Sequence, residues 1–184
     1  MRLVLALIAV LMIVAGCAPG HGLPPLPPVA SDEYHLGPGD AVRIITFGED
    51  ALTGEFRVND SGYVALPLLG SVRAAGRTPR ELESAVGAAL KRANLLRNPA
   101  VSIEVTAYRP IFVLGEVNRP GEYPYQPGMT VLAAAAVAGG FTYRAIQSYA
   151  SVMRAGDGDS IEGKATRRSL LQPGDVVTIY ERRF

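Results

Sequence analysis

Thr78-Pro79-Arg80-Glu81-Leu82-Glu83-Ser84-Ala85-Val86, continuing to Ala93, and then Asn98-Pro99-Ala100-Val101-Ser102-Ile103-Glu104-Val105-Thr106 decide the fold class of this 184-residue chain. Thr78 is an N-cap, Pro79 suits the first helical position, and Glu81 completes a capping box. Leu82, Val86, Ala89, Leu90 and Ala93 then recur at helical spacing along one face. Asn98-Pro99 closes the segment. Val101, Ile103 and Val105 alternate with Ser102, Glu104 and Thr106, the period of a half-buried strand with one wet face. A helical period followed by a strand period predicts an α+β fold, with mostly short strands and two principal helices.

Working outward, residues 41–47 read as a buried strand, with Val42 and Ile44 on one face and Ile45 and Phe47 on the other. Residues 56–58 and 63–66 flank the turn formers Asn59-Asp60-Ser61-Gly62 and predict a hairpin, with Pro67 and Gly70 punctuating its exit. Tyr108-Arg109-Pro110 marks a seam between two units. Beyond it come a strand over 111–114, the turn Arg119-Pro120-Gly121, and an apolar helix from Val131 to Ala138 ended by Gly139-Gly140. A strand near 150–153, a polar loop over 156–164 and a strand over 176–180 complete the second unit. Pro38-Gly39-Asp40 and Pro173-Gly174-Asp175 each precede a strand. That is a shared turn-into-strand solution, in which the aspartate closes the turn by bonding nearby amides.

The totals set limits. Residues 3–15 are apolar and follow Arg2, but are shorter than the roughly 20 residues that span a bilayer, so they read as a targeting segment. No later stretch is long and apolar enough to cross as a helix. Removing residues 1–16 leaves 168 residues with 17 Lys+Arg against 17 Asp+Glu, which gives no electrostatic case for nucleic acid. Cys17 is the single cysteine, so disulfides contribute nothing. The only histidines are His21 and His35, and no Ser-His-acid set, HExxH, paired-cysteine metal spacing or phosphate loop occurs. Neither a catalytic centre nor a cofactor is expected.

Val14-Ala15-Gly16-Cys17 resembles a bacterial lipoprotein signal. The resemblance implies cleavage before Cys17 and acylation of its thiol, with an ordinary secretory signal and a coincidental cysteine as the alternative. Two or more acyl chains hold a protein on a membrane firmly. The Pro- and Gly-rich stretch 18–30 then reads as a semi-rigid spacer between lipid and body.

A longer series of motifs carries a second resemblance: Tyr34-His35-Leu36-Gly37-Pro38-Gly39-Asp40; Gly62-Tyr63-Val64-Ala65-Leu66-Pro67-Leu68-Leu69-Gly70; Ala75-Gly76-Arg77-Thr78; Asn98-Pro99-Ala100-Val101; Tyr108-Arg109-Pro110; Gly115-Glu116-Val117; Pro120-Gly121-Glu122-Tyr123; and Ala138-Gly139-Gly140. In this order they resemble the bacterial outer-membrane polysaccharide export proteins. The resemblance implies a signal peptide over 1–16, the lipidated Cys17 and spacer over 17–31, a polysaccharide export domain over 32–106, and one soluble-ligand-binding β-grasp domain over 108–184.

It further implies a non-enzymatic part of a capsule or exopolysaccharide export machine, anchored by lipid to the outer membrane with its body in the periplasm. The expected partners are identical subunits in a ring, polysaccharide as cargo, and an inner-membrane co-polymerase linked to a tyrosine kinase. Longer relatives add a C-terminal amphipathic helix that crosses the outer membrane, and the sequence stops at Phe184 without one. The expectation is therefore a short form feeding a separate β-barrel or needing another subunit. The alternative is a periplasmic glycan-binding or adaptor lipoprotein that forms no channel. Tyr108, Arg109, Tyr123, Tyr125 and Tyr143 are candidate contacts to a neighbouring subunit or to polymer, since Tyr and Arg are enriched at interfaces; scattered half-buried tyrosines explain them equally well. Arg167-Arg168 and Arg182-Arg183 are small basic clusters, read as solvated or as sites for anionic lipid or acidic polymer.

Overall fold

The computed structural model describes residues 19–20, 22–28, 33–155 and 160–182. Strands and two α-helices alternate along these residues, so the fold is α+β. Two separate apolar cores form, one from Leu36 to Ile103 and one from Ile111 to Ile179.

In the first unit β1 (Ala41–Thr46) lies between β2 (Gly54–Arg57) and β5 (Val101–Ala107), antiparallel to both. Helix α1 (Pro79–Arg92) closes one side of this sheet, with Leu82, Val86 and Leu90 fully buried. Its start is the expected reciprocal cap: the Glu81 amide donates to Thr78 Oγ1 at 3.2 Å, and the Thr78 amide donates to Glu81 Oε2 at 2.9 Å. The helix stops before Asn98-Pro99, because Asn94 takes a left-handed φ of 55°. Only one face of β1 is buried. Val42 and Ile44 are inaccessible, whereas Ile45 is 41% and Phe47 84% exposed, since α1 covers a single side.

The expected 56–66 hairpin does not form. The 59–63 turn closes, with the Asn59 amide donating to Tyr63 O and the Tyr63 amide to Asn59 Oδ1. β2, however, spends its ladder on β1. β3 (Tyr63–Leu66) pairs instead with β4 (Gly70–Arg73) across Pro67-Leu68-Leu69, where Leu68 and Gly70 both take positive φ. The residues read as the exit of one hairpin are the turn of another.

The second unit is a five-stranded sheet, built from β6 (Ile111–Gly115), β7 (Gly121–Tyr123), β8 (Tyr149–Ala155), β9 (Ser160–Thr166) and β10 (Val176–Ile179). The order is β7-β6-β10-β8-β9, with the central pair β6 and β10 parallel, a β-grasp arrangement. Helix α2 (Val131–Val137) packs Val131, Ala134 and Ala135 on one face. Residues 160–164, read as loop, belong to β9, which pairs with β8 from Ser160 to Thr166. The inward side of its alternation is carried by Gly163 and Ala165, which are buried but too small to register as an apolar stripe.

The Pro-rich segment is not a free spacer where it is described. The Lys164 amide donates to Pro24 O at 2.7 Å and the Leu26 amide to Lys164 O at 2.9 Å, so residues 24–26 add a short parallel partner to the edge of β9. Tyr149 Oη donates to Pro19 O at 2.8 Å, and Gly20 lies against the Tyr180 ring. A Cβ on Gly163 would stand 2.6 Å from Leu26 Cα, so only glycine admits the strap. Cys17 and His21 lie outside the described residues. Among the described residues no helix is long and apolar enough to cross a membrane.

Candidate functional site

The densest set of polar and aromatic contacts lies where the two units meet. The first unit supplies the turn Gly37-Pro38-Gly39-Asp40, with Gly39 at φ 95°. Asp40 is fully buried, and its Oδ2 accepts the Gly37 amide at 2.7 Å and the Tyr34 hydroxyl at 2.5 Å. Its Oδ1 accepts the backbone amide of Arg109 at 2.9 Å and stands 3.6 Å from Arg109 Nε. Arg109 Nη2 donates to Tyr34 Oη at 3.3 Å, while its buried Nε has no hydrogen-bond partner among the described residues. Burial first, then the hydrogen bond to Asp40, holds the Tyr34 phenol well above the ordinary tyrosine range.

The second unit repeats the device. Gly174 has φ 87°, and Asp175 Oδ2 accepts the Gln172 amide at 2.8 Å. Here the buried carboxylate receives a two-pronged arginine, with Arg154 Nε on Oδ1 at 3.0 Å and Nη2 on Oδ2 at 2.9 Å. The two turns converge on one side chain. A Cβ on Gly37 would collide with the Arg109 guanidinium, one on Gly39 would lie 3.5 Å from its Cγ, and one on Gly174 would lie 4.0 Å from its Nε. Glycine at these turns lets Arg109 lie flat between the units.

Three tyrosine rings line the same joint edge to face. The Tyr34 and Tyr108 centroids are 4.9 Å apart at 75°, and those of Tyr108 and Tyr125 are 5.6 Å apart at 71°. Burial raises the Tyr125 phenol as well, against the opposing effect of the Gly128 amide. Of the five residues expected from sequence, Tyr108, Arg109 and Tyr125 thus come together. Tyr123 does not join them: its hydroxyl donates to Arg119 O at 2.5 Å and its ring packs on the second core. Tyr143 is 83% exposed, beside Arg182, whose Nη2 donates to its carbonyl.

Sequence reasoning missed Tyr34 and Arg154, and favoured Asp40 and Asp175 as turn closers over a polymer-facing role. The doubled Pro-Gly-Asp string was the available signal. A shallow groove of about 400 Å³ between α1 and β5 is lined by Glu83, Ser84, Gly87, Lys91 and Val101. There Glu83 Oε1 accepts the Ile103 amide at 2.9 Å, covering an outward donor of edge strand β5. No group of three metal-ligating side chains occurs among the described residues. The arrangement at the joint holds geometry: the Tyr34 phenol bonds the Asp40 carboxylate, and burial keeps its proton in place.

The joint separates two family matches. Residues 28–106 match the family described as polysaccharide biosynthesis/export protein, and residues 110–164 match the SLBB domain. An export domain followed by an SLBB domain is a succession that supports the polysaccharide export family. The export domain thus carries Tyr34 and Asp40, the SLBB match begins at Pro110, and Tyr108 and Arg109 lie between them.

Three curated relatives are similar. The exopolysaccharide production protein ExoF of Rhizobium meliloti (strain 1021) is 36% identical over 121 residues, 60% of this chain and 29% of that protein. The EPS I polysaccharide export outer membrane protein EpsA of Ralstonia nicotianae (strain ATCC BAA-1114 / GMI1000) is 26% identical over 155 residues, 78% of this chain and 40% of that protein. EpsA of Ralstonia solanacearum is 32% identical over 105 residues, 55% of this chain and 27% of that protein. The chain therefore spans less than half the length of these relatives.

Proposed function

We propose that this protein is a non-enzymatic component of an exopolysaccharide or capsule export machine. It forms a periplasm-facing ring or conduit that passes polysaccharide to or through the outer membrane. The observation that carries this reading is the direct succession of an export domain and an SLBB domain, joined by a locked contact at Asp40 and Arg109. The names of the relatives support outer-membrane association and polysaccharide as cargo. Acylated Cys17 tethers the body to the membrane. An inner-membrane co-polymerase with its tyrosine kinase hands over the polymer, and a separate β-barrel completes the path.

A joint of this kind suits transport. A ring that guides a long polymer needs subunits that keep their shape, and one carboxylate bonded by an amide and a phenol resists bending between domains. The test is a deletion strain in which surface-released and periplasmic polysaccharide are measured, with Cys17→Ala alongside. Loss of released polymer is expected. Unchanged secretion, with no paralogue substituting, overturns the conduit reading in favour of a glycan-binding adaptor.

A further inference from the structure

The SLBB domain carries two unpartnered apolar surfaces on opposite sides. On the open face of its sheet, the register places Phe112 of β6 beside Val176 of β10, and Val176 beside Met153 of β8. The row is closed at its ends by Glu122 of β7, opposite Phe112, and Glu162 of β9, opposite Met153. Phe112, Met153 and the neighbouring Leu114 are 39%, 42% and 44% exposed. The strap reaches Tyr149 and Tyr180 on this side and leaves the row open. The result is an apolar strip with an acidic residue at each end.

The other side is that of α2, whose inner face is spent on the core. Outward it presents Leu132 and Val137, with Leu170 bridged to Thr130 at its first turn. The charged residues bonded to it are basic. The Arg167 carbonyl accepts the Leu132 amide, Arg168 follows it, and Arg119 Nη2 donates to the Val137 carbonyl. No acidic residue occurs from 123 to 156 or from 163 to 174. This face is apolar with a basic rim.

We propose that copies of this chain associate head to tail, the open sheet face of one SLBB domain seated on the α2 face of the next. The proposal rests on the ring reading above and names its contact. Sheet-to-sheet pairing would set Glu122 and Glu162 against their own kind, and helix-to-helix pairing would do the same with the arginines. Such like-charge contacts are penalised. Joining the unlike faces brings carboxylates to guanidiniums and covers both apolar strips. Because the two faces lie on opposite sides, each added copy leaves one of each kind free, so the series closes as a ring or continues as a filament.

The test uses the purified full chain in detergent, followed by sedimentation. The wild type is expected to assemble. Arg167→Glu/Arg168→Glu and Glu122→Arg/Glu162→Arg should each assemble on the order of tenfold more weakly or not at all. An equal mixture of the two variants should restore assembly, since each then offers the other an opposite charge. Restoration also shows that both variants are folded. If the reversals assemble like the wild type, or if mixing rescues nothing, the contact proposed here is wrong while a ring through other surfaces stands. A wild type that stays monomeric at every concentration overturns the contact and the ring together.

Discussion

The carboxylate of Asp40 accepts the backbone amide of Arg109 at 2.9 Å, across 69 positions of sequence, and so fixes the first residue beyond Tyr108 to a turn in the other domain. A bond to backbone leaves little freedom, because the peptide itself is the donor. The guanidinium of the same residue then fills the space between two glycine-containing turns.

Replacing Asp40 by alanine strands the Gly37 amide, the Tyr34 hydroxyl and the Arg109 amide in a dry site. A loss of about 3 kcal/mol is expected by chemical denaturation, with Asp40→Asn losing less. A change below about 0.5 kcal/mol would show that the joint does not contribute to stability.

Alkaline conditions should weaken the fold through Tyr34. Its phenol is raised in the folded state above the ordinary value of 10.0, so the folded chain holds the proton that the unfolded chain releases. The contribution is present in full below pH 10 and is lost as pH climbs from there toward the folded value. Stability measured at pH 8 and at pH 10.5 should fall for the wild type and fall less for Tyr34→Phe. Equal slopes for the two proteins would refute the assignment.

Gly163→Ala is expected to detach the strap while sparing the core, because alanine suits a strand but its methyl would occupy the place of Leu26 Cα. Amide exchange at Lys164, whose N–H is held by Pro24, should accelerate at least tenfold. Exchange at Val152 and Val177 should change little. Protection retained at Lys164 would mean that the strap tolerates the methyl.

Loss of the reciprocal cap in Thr78→Ala should cost about 1 kcal/mol, or about 2–4 °C in Tm. Thr78→Ser should recover most of it. The comparison isolates the hydroxyl from the packing of the helix it starts.

The local grammar was readable and the partnerships were not. Thr78-Pro79-Arg80-Glu81 dictates its own cap through contacts within four residues, and α1 begins there as expected. The 56–66 hairpin misled because turn formers report that a chain reverses, without saying which neighbour takes the ladder; β1 was the stronger partner for β2. β9 was hidden because Gly163 and Ala165 carry the buried side of the strand with almost no apolar surface. At the joint, Tyr108 and Arg109 stood out by type. Tyr34 and Arg154 could be found only through the turns they serve, and those turns meet in space rather than in sequence.

The strap sets an order of events. Arg154 reaches the carbonyl of Pro27 across 127 positions of chain, so the edge of the second unit is finished by residues that precede the whole first unit. Those residues are made before β9, yet have nothing to pair with until it exists, and closing so long a loop is slow. Until then the rim of β9 is an open template for stray strands. A piece excised at the domain joint would keep that rim bare, and should clump through it where the strapped chain does not.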